Sequence, residues 1–370
     1  MTPEEVELLS ELTIVIPTCN RPFELERAIE YWRDIPLTVH ILDGSPNPLF
    51  LSGQIVSSSA KIYYHSVPTD VGEKLMENYA RRLIKGMTLI ETTYAALLAD
   101  DDYFTTSGLL SALKVLDSEK KIDAVIGKCA MFFLENNKIK WEKKYLNWNP
   151  INSLESVLLS IRLDNDTGRY FVYYGILRTT ALRNIHTRAN YFVFSDFRIN
   201  ELIAHHLGLA YCRVKIIDRY LWCRQKAFHR NSSYDPVVRL SNSNEELLIT
   251  ETFVDAFTDI DPQVDHILAQ VWANQKVQLI MDRLRSIDNR FQKRRDEINT
   301  SIKVKILIKD FLMRFLLSSP NYVLLVVLKV VPSRWKKSIE DASPPDFDDK
   351  HCLEKLFLMP REELRLRANI

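Results

Sequence analysis

Three consecutive aspartates follow an apolar run in the segment LLADDDYF, residues 97–104. Adjacent carboxylates repel one another, and each resists burial unless a positive group compensates its charge. Either water or a cation must therefore accompany Asp100, Asp101 and Asp102. Hard divalent cations such as Mg²⁺ prefer oxygen ligands and commonly combine one or two carboxylates with substrate phosphates. At the end of a strand, Asp100 and Asp102 would point to one side and Asp101 to the other, an arrangement suited to a metal-bound diphosphate.

The triplet also has simpler interpretations. Acidic runs are often solvated loops or helix caps. The position directly after an apolar strand favours a metal site instead. Because three aspartates leave the register of a D-x-D motif open, Asp101 could be the ligand in place of Asp102.

Strand-like and helix-like segments alternate around the triplet. The runs LTIVIP (12–17) and PLTVHILDG (36–44) flank the helix-periodic stretch FELERAIEYWRD. A third run, KIYYHSV (61–67), precedes GEKLMENYARRLIKG, which predicts a helix closed by Gly86. The alternation predicts an α/β fold with a doubly wound, mostly parallel sheet, whose ligands bind beyond the carboxyl ends of the strands.

The pattern changes after residue 120. The segments at 121–133 and 170–182 indicate further strands, and SDFRINELIAHHLG (195–208) begins like an N-capped helix. Strand signals largely cease near Asp235. We therefore predict a sheet domain over residues 1–235 and a helical region over 236–370.

Composition narrows the class of protein. With 370 residues and 46% hydrophobic content, the chain can bury one large core and a second region. The chain has 49 basic and 48 acidic residues, so it lacks the net positive charge that would attract nucleic acid. We therefore expect no nucleic-acid partner. The five cysteines are scattered without a C-x-x-C pair, which disfavours zinc and disulfide frameworks. The acidic N-terminus is unlike a signal peptide, and we expect a cytoplasmic protein.

Three motifs in order resemble the family 2 glycosyltransferases of the GT-A fold. LTIVIPTCNRP, VHILDGSP and YAALLADDDYF match the family's strand ending in P-T-x-N-R, its strand ending in D-G-S and its D-x-D motif. The resemblance covers residues 12 to about 235 and is strongest up to residue 105. It implies transfer of a sugar from a nucleotide-sugar donor to an acceptor hydroxyl, usually with Mg²⁺ or Mn²⁺.

The resemblance implies roles for the triplet. The last carboxylate, Asp102, would contact the metal, and the first, Asp100, would contact the ribose or a metal-bound water. Asp101 remains the alternative ligand. His229, in LWCRQKAFHRNSS, resembles a histidine that completes the metal shell in some GT-A enzymes, with an exposed loop histidine as the alternative.

Nucleotide contacts are implied for the two earlier motifs. Pro17, Thr18 and Arg21 would contact the nucleotide, and Asp43 would bind the pyrimidine ring. Arg21 could instead form a solvated ion pair, and Asp43 could support a turn through an Asx hydrogen bond.

Cations on the helix after the third strand could reach a diphosphate. Lys74, Arg81 and Arg82 lie on this helix. Arg224, in the later segment LWCRQKAFHRNSS, could cover the diphosphate as part of a flexible lid. Helical lysines and arginines are mostly solvated, which is the simpler interpretation. Of these we select Lys74 as a donor-binding residue.

An inverting transfer needs a general base near the acceptor hydroxyl. Asp196, in VFSDFRINEL, resembles the second acid of the family's E-D or D-D segment, with Ser195 in place of the first acid. Helix capping is the alternative role for Asp196.

Residues 302–337 predict a basic amphipathic segment. Apolar residues recur at helical spacing with lysines on the flank, and Lys329 interrupts the most apolar stretch. Peripheral membrane contact would favour a lipid-linked glycan as the acceptor, as in surface-polysaccharide assembly. Packing onto the catalytic domain or formation of a homo-oligomer is the alternative.

Two other function classes fit the same sheet. A nucleotidyl- or phosphotransferase is disfavoured because the first loop, IPTCNRP, contains no glycine. A non-catalytic scaffold is disfavoured because Asp43 and the D-x-D motif are both present.

Overall fold

The computed structural model describes residues 1–135, 138–142, 152–164, 172–225, 243–286, 289 and 350–359. The predicted domain boundary near Asp235, the histidine His229 and the segment 302–337 lie outside these residues. The chain forms two compact units, Met1–Ile280 with Pro344–Ile370, and Met281–Ser343. The described part of the second unit is the helical stretch 281–286 and residue 289.

Ten strands in the described part of the first unit form a single sheet. Its order is β3-β4-β2-β1-β5-β9-β7-β10-β6, and β8 pairs with β7. The strands are β1 (Leu12–Thr18), β2 (Thr38–Asp43), β3 (Gly53–Ile55), β4 (Lys61–Ser66), β5 (Tyr94–Leu97), β6 (Asp102–Phe104), β7 (Ala124–Glu135), β8 (Lys138–Glu142), β9 (Ile176–Arg178) and β10 (Val214–Gln225).

Helices flank the sheet, and two short 3-10 turns, Asn152–Glu155 and Val172–Tyr174, join the elements. The helices of the described residues are α1 (Pro3–Ser10), α2 (Pro22–Trp32), α3 (Leu75–Leu89), α4 (Thr106–Ser118), α5 (Leu159–Asp164), α6 (Thr179–Ala189), α7 (Phe197–Tyr211), α8 (Ser243–Ile260), α9 (266–286) and α10 (Lys350–Leu358).

The sheet confirms the predicted α/β class. Parallel ladders join β4, β2, β1 and β5, and another joins β7 to β10. Antiparallel pairings attach β3, β6, β8 and β9. No helix in the described part of the chain has the length and hydropathy needed to cross a bilayer.

The chain order creates a crevice between β1 and β5. From β1 the chain proceeds to β2 and β4 on one side, and α3 then returns it to β5 on the other side. Ligands of open α/β sheets bind at such a reversal, outside the carboxyl ends of the strands. The first loop follows β1 at this edge, and the acidic triplet follows β5.

One helix end predicted from the sequence is wrong. Helix α3 does not close at Gly86 but continues to Leu89. A Cβ at Gly86 would lie 2.7 Å from side-chain atoms of both Leu42 and Val15. The glycine therefore lets α3 approach β1 and β2 closely, and it has no role in ending the helix.

Candidate active site

A pocket of about 410 Å³ opens at the carboxyl ends of β1 and β2. Its volume lies within the range of small-molecule sites. The loop after β1 contacts the loop after β2 there, because the Asn20 amide donates to the Ser45 hydroxyl at 2.7 Å. The lining residues are Thr18, Asn20, Arg21, Pro22, Leu25, Asp43, Ser45, Asn47, Pro48 and Leu49.

Asp43 is buried at the end of β2, where it lines this pocket. Its Oδ1 accepts from the Ser45 amide at 2.8 Å, which is the Asx turn considered from the sequence. Its Oδ2 accepts from the Tyr64 hydroxyl at 2.5 Å. Oδ1 also accepts from the Ser45 hydroxyl at 2.5 Å, so Oδ2 is the oxygen that retains lone-pair capacity. Asp43 can therefore support the turn and still present an acceptor to a ligand.

Gly44, the glycine of the D-G-S motif, is required by close packing. A Cβ at this position would lie 2.5 Å from Asn78 Oδ1 and 2.7 Å from Arg82 Nε. Arg82 is buried and donates to the Thr18 carbonyl at 2.6 Å, and its Nε donates to Asn78 at 2.7 Å. Arg82 therefore stabilises the carboxyl ends of β1 and β2 through hydrogen bonds.

The first loop and the acidic triplet are joined directly. The Thr18 hydroxyl donates to Asp100 Oδ2 at 2.6 Å. The Arg21 guanidinium spans two carboxylates, with Nη1 at 2.5 Å from Asp100 Oδ1 and Nη2 at 2.7 Å from Asp101 Oδ2. Arg21 is thus a cation that compensates the triplet, and its partners lie 79 and 80 residues along the chain.

Asp102 belongs to a different group of side chains. It begins β6, opposite Arg224 of β10. Its Oδ2 accepts from Trp222 Nε1 at 3.1 Å, and its Oδ1 accepts from the Gln225 amide at 3.2 Å. Tyr174 stacks on Trp222 with ring centroids 4.0 Å apart.

The predicted alternation of the triplet is wrong. Asp100 and Asp101 converge on Arg21, whereas Asp102 turns toward β10. Strand β5 ends at Leu97, and Asp100 and Asp101 occupy a turn before β6 begins. The two-residue periodicity of a strand does not apply within a turn.

The ionised form of the buried triplet is only partly compensated by neighbouring cations. Burial raises the pKa of Asp100 to about 7, although Arg21 lowers it. Burial also raises the pKa of Asp102 well above its usual range, against the opposing charge of Arg224. The Arg224 guanidinium makes no hydrogen bond or ion pair with a residue that the structure describes, and it lies 5.3 Å from the centroid of the Trp222 ring.

The triplet fits a divalent cation by charge and by donor type. Within the described ranges, no three His, Cys, Asp or Glu side chains are grouped so as to hold a metal by themselves. Mg²⁺ nevertheless needs only one or two protein carboxylates when a diphosphate supplies further oxygens. The buried carboxylates of the triplet, whose charge is only partly compensated, could serve as these protein ligands.

The remaining predicted site residues lie apart from the pocket. Pro17 precedes Thr18 within β1. Lys74 is exposed at the N-cap of α3, and Arg81 pairs with Glu73 at 2.7 Å. None of these three lines the pocket.

Asp196 caps helix α7, as the N-capping pattern predicted. Its Oδ1 accepts from the Arg198 amide at 2.8 Å, and its Oδ2 accepts from Arg198 Nε at 2.8 Å. Glu245 of α8 accepts from the amide of the neighbouring Ser195 at 2.6 Å, so a second carboxylate binds the residue that stands in place of the family's first acid. The capping role of Asp196 is present, and its catalytic role stays a prediction.

Several side chains at this edge carried no signal in the sequence. Tyr64 and Trp222 are aromatic residues within strands, where packing is the ordinary role. Only the sheet pairing brings their polar atoms to Asp43 and Asp102. Ser45 did carry a signal, since it belongs to the D-G-S motif.

No protein-family model and no curated protein sequence matches the chain. Among solved structures, it is similar to the crystal structure of S. aureus TarS, with TM-score 0.39, 12% identity, and coverage of 72% of this chain and 53% of that chain. A structure of S. aureus TarS 1-349 gives TM-score 0.35, 11% identity, and coverage of 74% and 91%. The chain spans about half the length of the first structure. Similarity at this level does not support a conclusion about activity.

Proposed function

We propose that the protein is a glycosyltransferase that moves a sugar from a nucleotide-sugar donor to an acceptor hydroxyl. The observation that carries the proposal is the joining of the three motifs at one crevice. The pocket lined by Thr18, Arg21 and Asp43 is tied through Thr18 and Arg21 to Asp100 and Asp101. A nucleotide and its diphosphate would occupy adjoining parts of such a site.

The nucleoside would lie in the pocket at the ends of β1 and β2. Asp43 lines this pocket, and its Oδ2 can accept from the N–H of a base or from a ribose hydroxyl. Thr18 and Arg21 would then lie between the nucleoside and the triplet. Arg21 is well placed to share its donors with a phosphate, because its fork suits bidentate contact.

The diphosphate would extend toward Asp102. Arg224 offers a guanidinium with no hydrogen bond to another described residue, on the far side of the triplet from Arg21. Breaking the glycosidic bond leaves charge on the diphosphate oxygens, and fixed cations near these oxygens lower the barrier. Mg²⁺ or Mn²⁺, held by Asp102 together with oxygens of the diphosphate, would supply further compensation there.

Transfer with inversion requires a base near the acceptor. The sequence-based assignment to Asp196 is one candidate on α7. The acceptor is proposed as a glycan or lipid-linked glycan in surface-glycan assembly. That proposal rests on the basic segment 302–337, for which the structure describes no residue.

Release of nucleoside diphosphate from nucleotide sugars tests the proposal. The probes are UDP-glucose, UDP-N-acetylglucosamine and GDP-mannose, each with and without Mn²⁺, with water taking the place of the acceptor. We expect slow, Mn²⁺-stimulated release from one of the three, and at least a 100-fold loss in Asp102→Asn. Asp218→Asn is the matched control, because Asp218 also lies on this sheet but its side chain is exposed on β10, where it pairs with Lys128.

Equal release by wild-type protein and Asp102→Asn would contradict the proposed role of the triplet. Absence of release from all three donors, with and without Mn²⁺, would contradict the proposed activity.

A further inference from the structure

We infer that Tyr64 of β4 is a positioning residue for nucleotide binding, whose hydroxyl orients the Asp43 carboxylate toward a nucleoside in the pocket. The inference deepens the proposed function and rests on it. Three features carry it: the strand register that brings Tyr64 to Asp43, the two hydrogen bonds of the Tyr64 hydroxyl, and the carboxylate oxygen of Asp43 that remains for a ligand.

Tyr64 reaches Asp43 because the two residues share a face of the sheet. Strand β4 is parallel to β2, with Tyr64 opposite Ile41 and Ser66 opposite Asp43. Residues two apart on a strand lie on one face, so Asp43 lies diagonally beyond Tyr64 toward the carboxyl end of β2. Tyr64 is fully buried, and the length of its side chain brings the hydroxyl to the Asp43 carboxylate.

The Tyr64 hydroxyl makes two hydrogen bonds, and its role in each is defined. It donates to Asp43 Oδ2 at 2.5 Å. It accepts from the Leu49 amide at 3.1 Å. An amide can only donate and an ionised carboxylate can only accept, so the single hydroxyl proton is directed at Asp43. The Leu49 amide therefore helps to hold Tyr64 in the orientation in which it donates to Asp43.

Tyr64 keeps its proton at ordinary pH. Burial raises the pKa of Tyr64, and the hydrogen bond to Asp43 raises it further. Loss of the proton would place a second negative charge directly beside the carboxylate. Donation from Tyr64 to Asp43 is therefore independent of pH under the conditions of a binding measurement.

Different residues hold the two oxygens of Asp43. Oδ1 accepts from both the amide and the hydroxyl of Ser45, at 2.8 Å and 2.5 Å. Oδ2 accepts from Tyr64. Because a carboxylate oxygen has two lone pairs, the bond from Tyr64 determines which lone pair of Oδ2 is left for a ligand. Without Tyr64, Ser45 would hold the carboxylate at one oxygen alone.

The packing around Tyr64 does not depend on its hydroxyl. The Phe50 ring packs edge-on against the Tyr64 ring, with centroids 5.1 Å apart. Asp43 and Leu49 both line the pocket and contact the hydroxyl. Tyr64→Phe therefore removes two hydrogen bonds at the pocket wall and leaves the aromatic packing in place.

The test is a double-mutant cycle, which isolates the coupling between two side chains. Calorimetric titration with UDP, GDP, CDP and CMP in the presence of Mn²⁺ identifies the nucleotide that the wild-type protein binds. The affinity for that nucleotide is then measured for Tyr64→Phe, for Asp43→Asn and for the protein with both changes. The stoichiometry of each titration gives the fraction of folded, binding-competent protein.

Tyr63→Phe is the matched control. Tyr63 is the preceding residue of β4, so its side chain lies on the opposite face of the sheet. Its ring stacks on His40 with centroids 5.2 Å apart. The control therefore removes the same hydroxyl group from the same strand without touching Asp43.

We expect Tyr64→Phe to bind the nucleotide at least tenfold more weakly than the wild-type protein, with unchanged stoichiometry. Tyr63→Phe should bind like the wild-type protein. In the Asp43→Asn background, Tyr64→Phe should change the affinity less than twofold, because the hydroxyl acts through the carboxylate. A merely structural role for Tyr64 would lower the stoichiometry and would not couple to Asp43.

Two results would overturn the inference. One is a loss of affinity below tenfold in Tyr64→Phe. The other is a loss of twofold or more when Tyr64→Phe is added to Asp43→Asn, since the hydroxyl would then act without the carboxylate. If the wild-type protein binds none of the nucleotides, the proposed function fails and the inference fails with it. Binding by the wild-type protein therefore distinguishes the two failures.

Discussion

Arg21 joins the loop after β1 to the turn after β5 through two carboxylates. Its guanidinium contacts Asp100 and Asp101, while Thr18 donates to Asp100 from the same loop. At the scale of single residues, the pocket wall and the first two carboxylates of the triplet are therefore one network. A change at Arg21 should affect both the stability of the fold and the binding of a nucleotide.

We expect Arg21→Gln to lower the free energy of unfolding by about 1–3 kcal/mol, because buried Asp100 loses a charged donor. Urea denaturation measures this loss, and calorimetry should show weaker nucleoside diphosphate binding as well. Lys120→Gln is the control, since Lys120 pairs with Asp117 on the exposed surface. Equal stability of Arg21→Gln and Lys120→Gln would contradict the account of Arg21.

At the scale of elements, the packing of α3 against β1 and β2 positions the residues at the ends of these strands. Gly86 lets the helix lie against Leu42 and Val15, and the same helix carries Asn78 and Arg82 to the ends of β1 and β2. The position of Asp43 and Gly44 therefore depends on the close approach of α3.

We expect Gly86→Ala to destabilise the protein although alanine favours helix. The gain in helix propensity is about 1 kcal/mol. Overpacking against the two strands costs about 1–3 kcal/mol, and the net effect should be a loss. Gly53→Ala on edge strand β3 is the control, because a Cβ there meets nothing within 4 Å. Thermal unfolding that ranks Gly86→Ala at or above the wild-type protein would contradict this packing.

At the scale of the whole molecule, the described part of the core includes a buried histidine, His186, whose imidazole ring has no hydrogen-bond partner there. His186 of α6 is buried against the Tyr173 ring, and both of its ring nitrogens lack a partner among the described residues. Burial lowers the pKa of His186 from 6.5 to about 4. The unfolded chain therefore takes up a proton more readily than the folded protein as the pH falls below 6.5.

This difference makes stability dependent on pH. The contribution of His186 is present above pH 6.5 and is lost as the pH falls toward 4. Between pH 7 and pH 5 the loss should be about 2 kcal/mol. His186→Phe should remove that part of the dependence in urea denaturation series at the two pH values. A variant with the full wild-type dependence would contradict the buried neutral state.

Local patterns explain most of what could be predicted. Strands β1, β2 and β4 and helices α2 and α3 follow from apolar runs and helical periodicity, and the triplet follows β5 as expected. The hydrogen-bond partners within the site could not be predicted from local patterns. Arg21 meets Asp100 across 79 residues, and Trp222 meets Asp102 across 120, so only the assembled sheet defines these contacts. The turn that redirects Asp101 likewise has no periodic signal.

The central claim is that a nucleotide binds at the ends of β1 and β2 against Asp43. The most direct measurement is calorimetric titration with UDP, GDP, CDP and CMP in the presence of Mn²⁺, on the wild-type protein, Asp43→Asn and the surface control Asp34→Asn. We predict that one nucleotide binds the wild-type protein and Asp34→Asn alike, and binds Asp43→Asn at least tenfold more weakly. Equal affinity for Asp43→Asn, or no binding to the wild-type protein, would contradict the claim.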